Sequence, residues 1–249
     1  MTAGRDSTLE QRLPALSPRH RIALLEAWDW IDATLTPQGV LVTGSIVRGE
    51  GRAGSDLDLV VLWRRPGRRR MQRWFAGVPA EVFANSVAWL AHSIAAEARN
   101  GRPVMAHMLA TGTVLRDDDG VLANVVADAA RLLRTGLRMT ARELERRRYL
   151  AACAVEDTLD LLPADGGDAR LLGSRAVDAM LEYAFLARGQ FQPRAKVRLA
   201  ALRELDPGAA DSLLAVLDAS DPAARAQRLR EAGERILGAS GFFAWDSDD

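Results

Sequence analysis

Asp56 and Asp58 stand one residue apart at the head of an apolar run, Leu57, Leu59, Val60, Val61 and Leu62. In a β-strand alternate side chains share a face, so both carboxylates point the same way while Leu57 and Leu59 enter the core. Two carboxylates on one face repel each other unless a cation lies between them. Hard oxygen ligands of this kind suit Mg²⁺, which is commonly held by one or two carboxylates together with substrate phosphates. Upstream, Gly44-Ser45 follows the apolar Val40, Leu41 and Val42. A glycine-serine turn of this sort offers backbone N–H groups to phosphate oxygens. The combination is a site for a metal-bound nucleoside triphosphate.

These residues need two strands, over 40–43 and 56–63, joined by a short helix and a glycine-rich loop. Ahead of them, Ser17-Pro18 reads as a helix cap followed by proline at the first helical position. Ile22, Leu24, Leu25, Trp28, Ile31 and Leu35 recur at helical spacing up to the breaker Pro37-Gln38-Gly39. A third strand is expected over 78–84, with Glu81 facing away from Ala80 and Val82. Arg64, Arg65, Arg68, Arg69, Arg70 and Arg73 crowd around Pro66-Gly67. Such a run reads as a solvated connection or helix face, the other reading being a guide for phosphates or RNA. A helix over 86–100 ends at Asn100-Gly101, and Asp117, Asp118 and Asp119 before Gly120 read as a structural turn, since the ligand alternation of a calcium loop is missing.

At Gly44-Ser45, Arg48-Gly49 and Ser55-Asp56-Leu57-Asp58-Leu59 the chain resembles the polymerase-β-like nucleotidyltransferase superfamily, whose signature is a Gly-Ser pair, a turn and helix, then Asp-x-Asp on a strand. The resemblance implies Mg²⁺ held by Asp56 and Asp58, and ATP or another nucleoside triphosphate held at Gly44, Ser45, Arg48 and Ser55. It also implies a third carboxylate on a neighbouring strand. Glu81 lies where that acid is expected, to complete a second metal site or to act as base. Lys196 is the only lysine of the chain. Its context, Pro193-Arg194-Ala195-Lys196, resembles a Pro-x-x-Lys element of small-molecule nucleotidyltransferases that brings a compact cation to the triphosphate.

From residue 121 onward no strand is evident. Thr140 and Glu143 form a capping-box signature opening a helix over 141–162. A loop over 163–168 and helices over 174–188, 195–205 and 222–237 follow, before an acidic tail (Trp245, Asp246, Ser247, Asp248, Asp249) that should fray. The expected fold is α+β: a small mixed-sheet nucleotidyltransferase domain over 1–120 and a helical bundle domain over 121–249. Asp157 shares a helical stripe with Leu150, Ala154 and Leu161. It reads either as a carboxylate lining a substrate cleft or as the partner of one of the many arginines. Glu156 and Glu182 join it as candidate ligands for a cationic acceptor.

The 249 residues carry a formal net charge of zero, so no overall field recruits nucleic acid or an anionic membrane. The single cysteine, Cys153, excludes an internal disulfide and reads as a buried, inert thiol. His20, His92 and His107 share no metal-ligand spacing. No stretch approaches the about 18 apolar residues of a membrane span, and the first seven residues lack the build of a secretory signal, so a cytoplasmic protein, monomeric or homodimeric, is expected. With the helical second domain, the resemblance is strongest to aminoglycoside-modifying enzymes. It implies transfer of a nucleoside monophosphate, AMP in the first instance, to a hydroxyl of a small molecule, with pyrophosphate released and antibiotic resistance as a role. The alternatives are nucleotidylation of a protein, as in toxin–antitoxin pairs, and a non-catalytic nucleotide sensor.

Overall fold

The computed structural model describes residue 13 and residues 15–52, 54–164 and 166–246. The expectations on the first seven residues and on Ser247, Asp248 and Asp249 of the tail lie outside these. The chain divides into two compact units, Met1–Thr135 and Gly136–Asp249.

In the first unit, helix α1 (Pro18–Leu35) starts where Ser17 Oγ accepts from the His20 backbone N–H. Its buried stripe is His20, Ala23, Leu24, Ala27, Ile31 and Leu35. Ile22, expected in that stripe, is 60% exposed, because the inner face steps through the small Ala23 and Ala27 instead. Thr36, at φ +45°, turns the chain directly into strand β1 (Pro37–Thr43). The predicted breaker is therefore already strand, with proline at a strand's first residue, where a missing N–H costs little.

Strands β2 (Leu57–Trp63), β3 (Arg68–Phe75), β4 (Val78–Asn85) and β5 (Thr113–Asp117) complete a mixed sheet of order β3-β4-β2-β1-β5. Only β2 and β4 run parallel. The arginine run is thus neither helix nor plain loop: its second half is the edge strand β3, whose only buried residues are Met71 and Phe75. A tight turn at Ala76-Gly77, both at positive φ, closes the β3–β4 hairpin. Helix α1 holds that tip: Glu26 accepts from Ala76 N–H at 2.7 Å and Arg19 donates to the Gly77 carbonyl at 2.7 Å.

One face of the sheet packs Val40, Val42, Leu57, Leu59 and Val61 against α1. The other packs Leu41, Val60 and Leu62 against α2 (Val87–Arg99), α3 (Val104–Ala110) and α4 (Val121–Thr135). Both sheet faces are covered, which is why β1 and β2 read as nearly continuous apolar runs. The turn after β5 is structural throughout. Asp117 accepts from Leu122 and Ala123 N–H at the head of α4, Asp118 pairs with Arg116, and Asp119 pairs with Arg64. Because α4 packs on α3, β1 and β5, the division falls after residue 135 rather than near 120.

The second unit is helical: α5 (Ala141–Leu161), α6 (Gly167–Leu186), α7 (Arg198–Leu205), α8 (Pro207–Asp218) and α9 (Pro222–Leu237), with 3₁₀ turns at Leu162–Ala164 and Ala195–Val197. The Thr140–Glu143 capping box is present in both directions. Helix α6 begins seven residues before the predicted start at 174, and α8, with its Asp206 cap, was not anticipated. The core joins Ala151, Val155, Met180, Ala184, Leu202, Leu213 and Leu229. Cys153 is half-buried rather than buried, since α5 turns Ala151, Ala152 and Val155 inward instead. Among the described residues no helix is long and apolar enough to cross a membrane.

Candidate active site

Strand pairing builds the site. Thr43 of β1 stands opposite Asp58 of β2, Asp58 opposite Glu81 of β4, and Glu81 opposite Gln72 of β3. Directly paired residues project to the same face, so Thr43, Asp58, Glu81 and Gln72 form one row across four strands. Asp56, two residues ahead of Asp58, extends the acidic group. Both aspartates are half-buried. Thr43, fully buried, donates to the Met108 carbonyl at 2.8 Å and anchors the row to the helical layer.

Gly44 follows at φ +92°, where a side chain is strained. A Cβ there would overlap Oδ2 of Asp58, so glycine is what lets the carboxylate lie against the Gly-Ser turn. The chain beyond folds as overlapping hydrogen-bonded turns, with Arg48 N–H donating to the Gly44 carbonyl at 3.4 Å, Gly49 N–H to the Ile46 carbonyl at 3.4 Å and Glu50 N–H to the Ser45 carbonyl at 2.9 Å, rather than as the short helix expected. Ser45 Oγ lies 3.3 Å from Ser55 Oγ, which itself accepts from Arg52 N–H at 2.9 Å. The two serines thereby clasp the ends of the loop between β1 and β2. Arg48, on the same turn, is paired with Glu50 at 3.4 Å.

His20, which shares no metal-ligand spacing with the other histidines, supports this loop. Its imidazole lies 2.8 Å from Ser17 Oγ and 3.1 Å from the Ser55 carbonyl, tying the start of α1 to the residue before Asp56. The signal was present in principle: a histidine three residues after a helix cap is placed to share that cap.

The electrostatics of the row are uneven. Burial, then the charges of Asp56 and Glu81, push the Asp58 carboxyl up to about 6, against the weaker opposing pull of Arg48 and Arg70. Glu81 is drawn the other way. Burial alone would raise it, but hydrogen bonds from Gln72 and Arg70 and the charge of Arg70 leave it below its ordinary value. Arg70 Nη2 donates to Oε2 at 2.6 Å and Gln72 Nε2 to Oε1 at 2.7 Å, so both Glu81 oxygens are engaged.

A metal can be judged against this donor set. Asp56 and Asp58 are oxygen ligands whose mutual repulsion a hard cation would relieve, and the space over Gly44 leaves Asp58 Oδ2 uncovered by any Cβ. The pair therefore fits Mg²⁺, which needs few protein carboxylates when phosphates supply the rest. Among the described residues no three acids, histidines or cysteines are grouped to hold one ion, and both oxygens of Glu81, the expected third ligand, are engaged by β3.

The other candidates belong to the second unit. Lys196 is exposed on the 3₁₀ turn Ala195–Val197. Asp157 is exposed, because the buried stripe of α5 is Ala151, Ala152, Val155 and Thr158, and Leu150 is exposed with it. Glu156 is half-buried beside Gly241. Glu182 is paired with Arg147 at 2.9 Å. A cavity of about 580 Å³ lies in this unit between α5 and α6, with Arg147, Arg175, Asp178 and Glu182 in its wall and none of the sheet acids.

Residues 23–97, within the first unit, match the family model described as a nucleotidyltransferase domain. That match contains Gly44, Ser45, Asp56, Asp58 and Glu81. No curated protein sequence matches the chain. Among solved structures, the chain is similar to a nucleotidyltransferase-like protein from Exiguobacterium sibiricum 255-15, with a TM-score of 0.53, 13% sequence identity, and coverage of 88% of this chain and 74% of that one. At that identity the likeness concerns the fold.

Proposed function

We propose that this domain transfers a nucleoside monophosphate, AMP in the first instance, from a triphosphate to a hydroxyl of a small acceptor, releasing pyrophosphate. The observation that carries the reading is the Asp58 carboxylate lying against the Gly-Ser turn with Asp56 beside it. Mg²⁺ held by Asp56 and Asp58 would neutralise the triphosphate and polarise its α-phosphorus.

The chain's own groups then have separate tasks. Ser45 Oγ and the backbone N–H groups of its turn bind the outer phosphates, with Gly44 allowing close approach. Arg48, paired with the exposed Glu50, can exchange that partner for a phosphate oxygen. Ser55 and His20 keep the loop in place so that Asp56 and Asp58 enter at fixed spacing. Glu81, once released by Arg70, accepts the proton of the acceptor hydroxyl as its oxygen bonds to the α-phosphorus and the bond to pyrophosphate breaks. Lys196 is assigned to the phosphates on the resemblance alone.

A polycationic acceptor, as the aminoglycoside resemblance suggests, would draw on Glu156, Asp157 and Glu182. Of these, Glu182 is already paired with Arg147 and would have to exchange that partner. The test is pyrophosphate release from Mg²⁺-ATP across a panel of hydroxyl acceptors that includes aminoglycosides, with the Asp56→Ala/Asp58→Ala double variant as blank. Turnover abolished in that variant supports the transferase reading. Turnover that survives it excludes these aspartates from the chemistry.

A further inference from the structure

Strand β3 is an edge, and six arginines lie on it or on the turn before it. Charged residues on an edge strand commonly serve to block pairing with another chain. That role requires no particular partner for each arginine, yet these are arranged. Arg68, Arg70, Gln72 and Trp74 alternate on one face of β3, opposite Asn85, Phe83, Glu81 and Pro79. This is the face that carries Asp58. Arg68 lies over the Trp89 ring at 5.3 Å and Arg70 over the Phe83 ring at 5.0 Å, while Trp74 is 71% exposed.

Charge is not balanced along this edge. Of the six arginines only Arg64 and Arg70 have an acidic partner among the described residues: Asp119 for Arg64 and Glu81 for Arg70. Arg65, Arg68, Arg69 and Arg73 have none there. A surplus of guanidinium groups mounted on aromatic rings beside a reactive row is complementary to a phosphate attached to something planar or sugar-like. The pairing of Arg70 disables the site, because Arg70 and Gln72 occupy both oxygens of Glu81. An anion reaching Arg70 would release Glu81.

We propose that the acceptor is itself phosphate-bearing, a nucleotide or sugar phosphate, and that Arg68 and Arg70 bind its phosphate along the exposed face of β3. Binding draws Arg70 from Glu81, so the base becomes available only when the acceptor is in place. The inference rests on the transferase reading, which supplies the role of Glu81. It departs from the aminoglycoside resemblance in the sign of the acceptor's charge.

The experiment uses the full chain saturated with Mg²⁺ and a non-hydrolysable ATP analogue. Calorimetric titrations compare ribose 5-phosphate with ribose, AMP with adenosine, and one aminoglycoside. The phosphorylated member of each pair is expected to bind at least about tenfold more tightly, a factor worth one charge-assisted contact. Arg70→Gln should erase that preference, Arg70→Lys should restore part of it, and Arg69→Gln, on the other face of β3, should leave it intact. Equal affinity within the pairs, preference for the aminoglycoside, or a preference that Arg70→Gln does not change would overturn the proposal. Binding of the ATP analogue is measured first. Its loss in Asp58→Asn with no effect of Arg70→Gln separates a sound triphosphate site from a wrong acceptor.

Discussion

The two units treat buried charge in opposite ways. In the helical unit two half-buried acids meet arginine, Glu182 with Arg147 and Asp206 with Arg188 and Arg235, while the nearly buried Arg198 meets the exposed Asp178. Asp206 is held below its ordinary range, first by the Ala209 backbone N–H it caps and then by those two arginines, which outweigh its partial burial. In the sheet unit Asp58 is placed among acids and pushed up to about 6. Packing alone gives no reason to seat two aspartates and a glutamate together. Where charge is compensated, it serves the fold; where it is left uncompensated at a cost, a ligand is expected to supply the balance.

Several changes should break or sharpen that contrast. Asp58→Asn keeps the shape and removes the charge that would hold the cation. Transfer, followed as pyrophosphate release, should fall by about a thousandfold or more, as for loss of a principal electrostatic group. Next in size, Gly44→Ala drives a Cβ into Asp58 Oδ2 and strains a backbone at φ +92°. A misplaced ligand of this kind should cost roughly a hundredfold in transfer, with a lowered melting temperature as well.

The raised Asp58 value has a consequence for stability. A carboxyl whose folded value lies above its unfolded one keeps its proton more tightly in the native state. The ligand-free protein should therefore lose stability as pH rises from about 4 through about 6, with a plateau above. The full shift corresponds to an upper bound of roughly 3 kcal/mol, and partial exposure makes about 1–2 kcal/mol the expected loss. Thermal melts against pH should show this slope in the wild type and not in Asp58→Asn. Melts without the slope would contradict the picture of clustered acids.

The smallest effect is expected in the helical unit. Glu182→Ala breaks a half-exposed pair with Arg147 and should cost about 0.5–1 kcal/mol in a chemical denaturation midpoint, leaving ATP binding unchanged. A large loss of ATP binding there would erase the division between compensated and uncompensated charge.

What the sequence made legible follows physical lines. Asp56 and Asp58 were readable because strand alternation fixes their common face, and Gly44-Ser45 because a turn residue ends an apolar strand. Glu81 was placed correctly on its strand, whereas its engagement by Arg70 and Gln72 depends on β3 lying beside β4 at one register, which local sequence does not encode. Strand β3 itself was hidden, since an edge strand with Met71 and Phe75 as its only buried residues lacks the apolar alternation that marks a strand. Helix α6 was entered late because Gly167 and Gly173 dilute its first turns. In α5 the apolar stripe of Leu150 and Asp157 was legible but misleading: alanines can pack where leucines were expected, and the inner face is Ala151, Ala152 and Val155.

The central claim is that Asp56 and Asp58 with the Gly-Ser turn form a metal-dependent triphosphate site. Its most direct test is calorimetric binding of ATP to the full chain with Mg²⁺, with the metal chelated, and in Asp58→Asn. Binding that requires both Mg²⁺ and Asp58 is the predicted result. ATP binding that is indifferent to the metal and to the substitution would contradict the account.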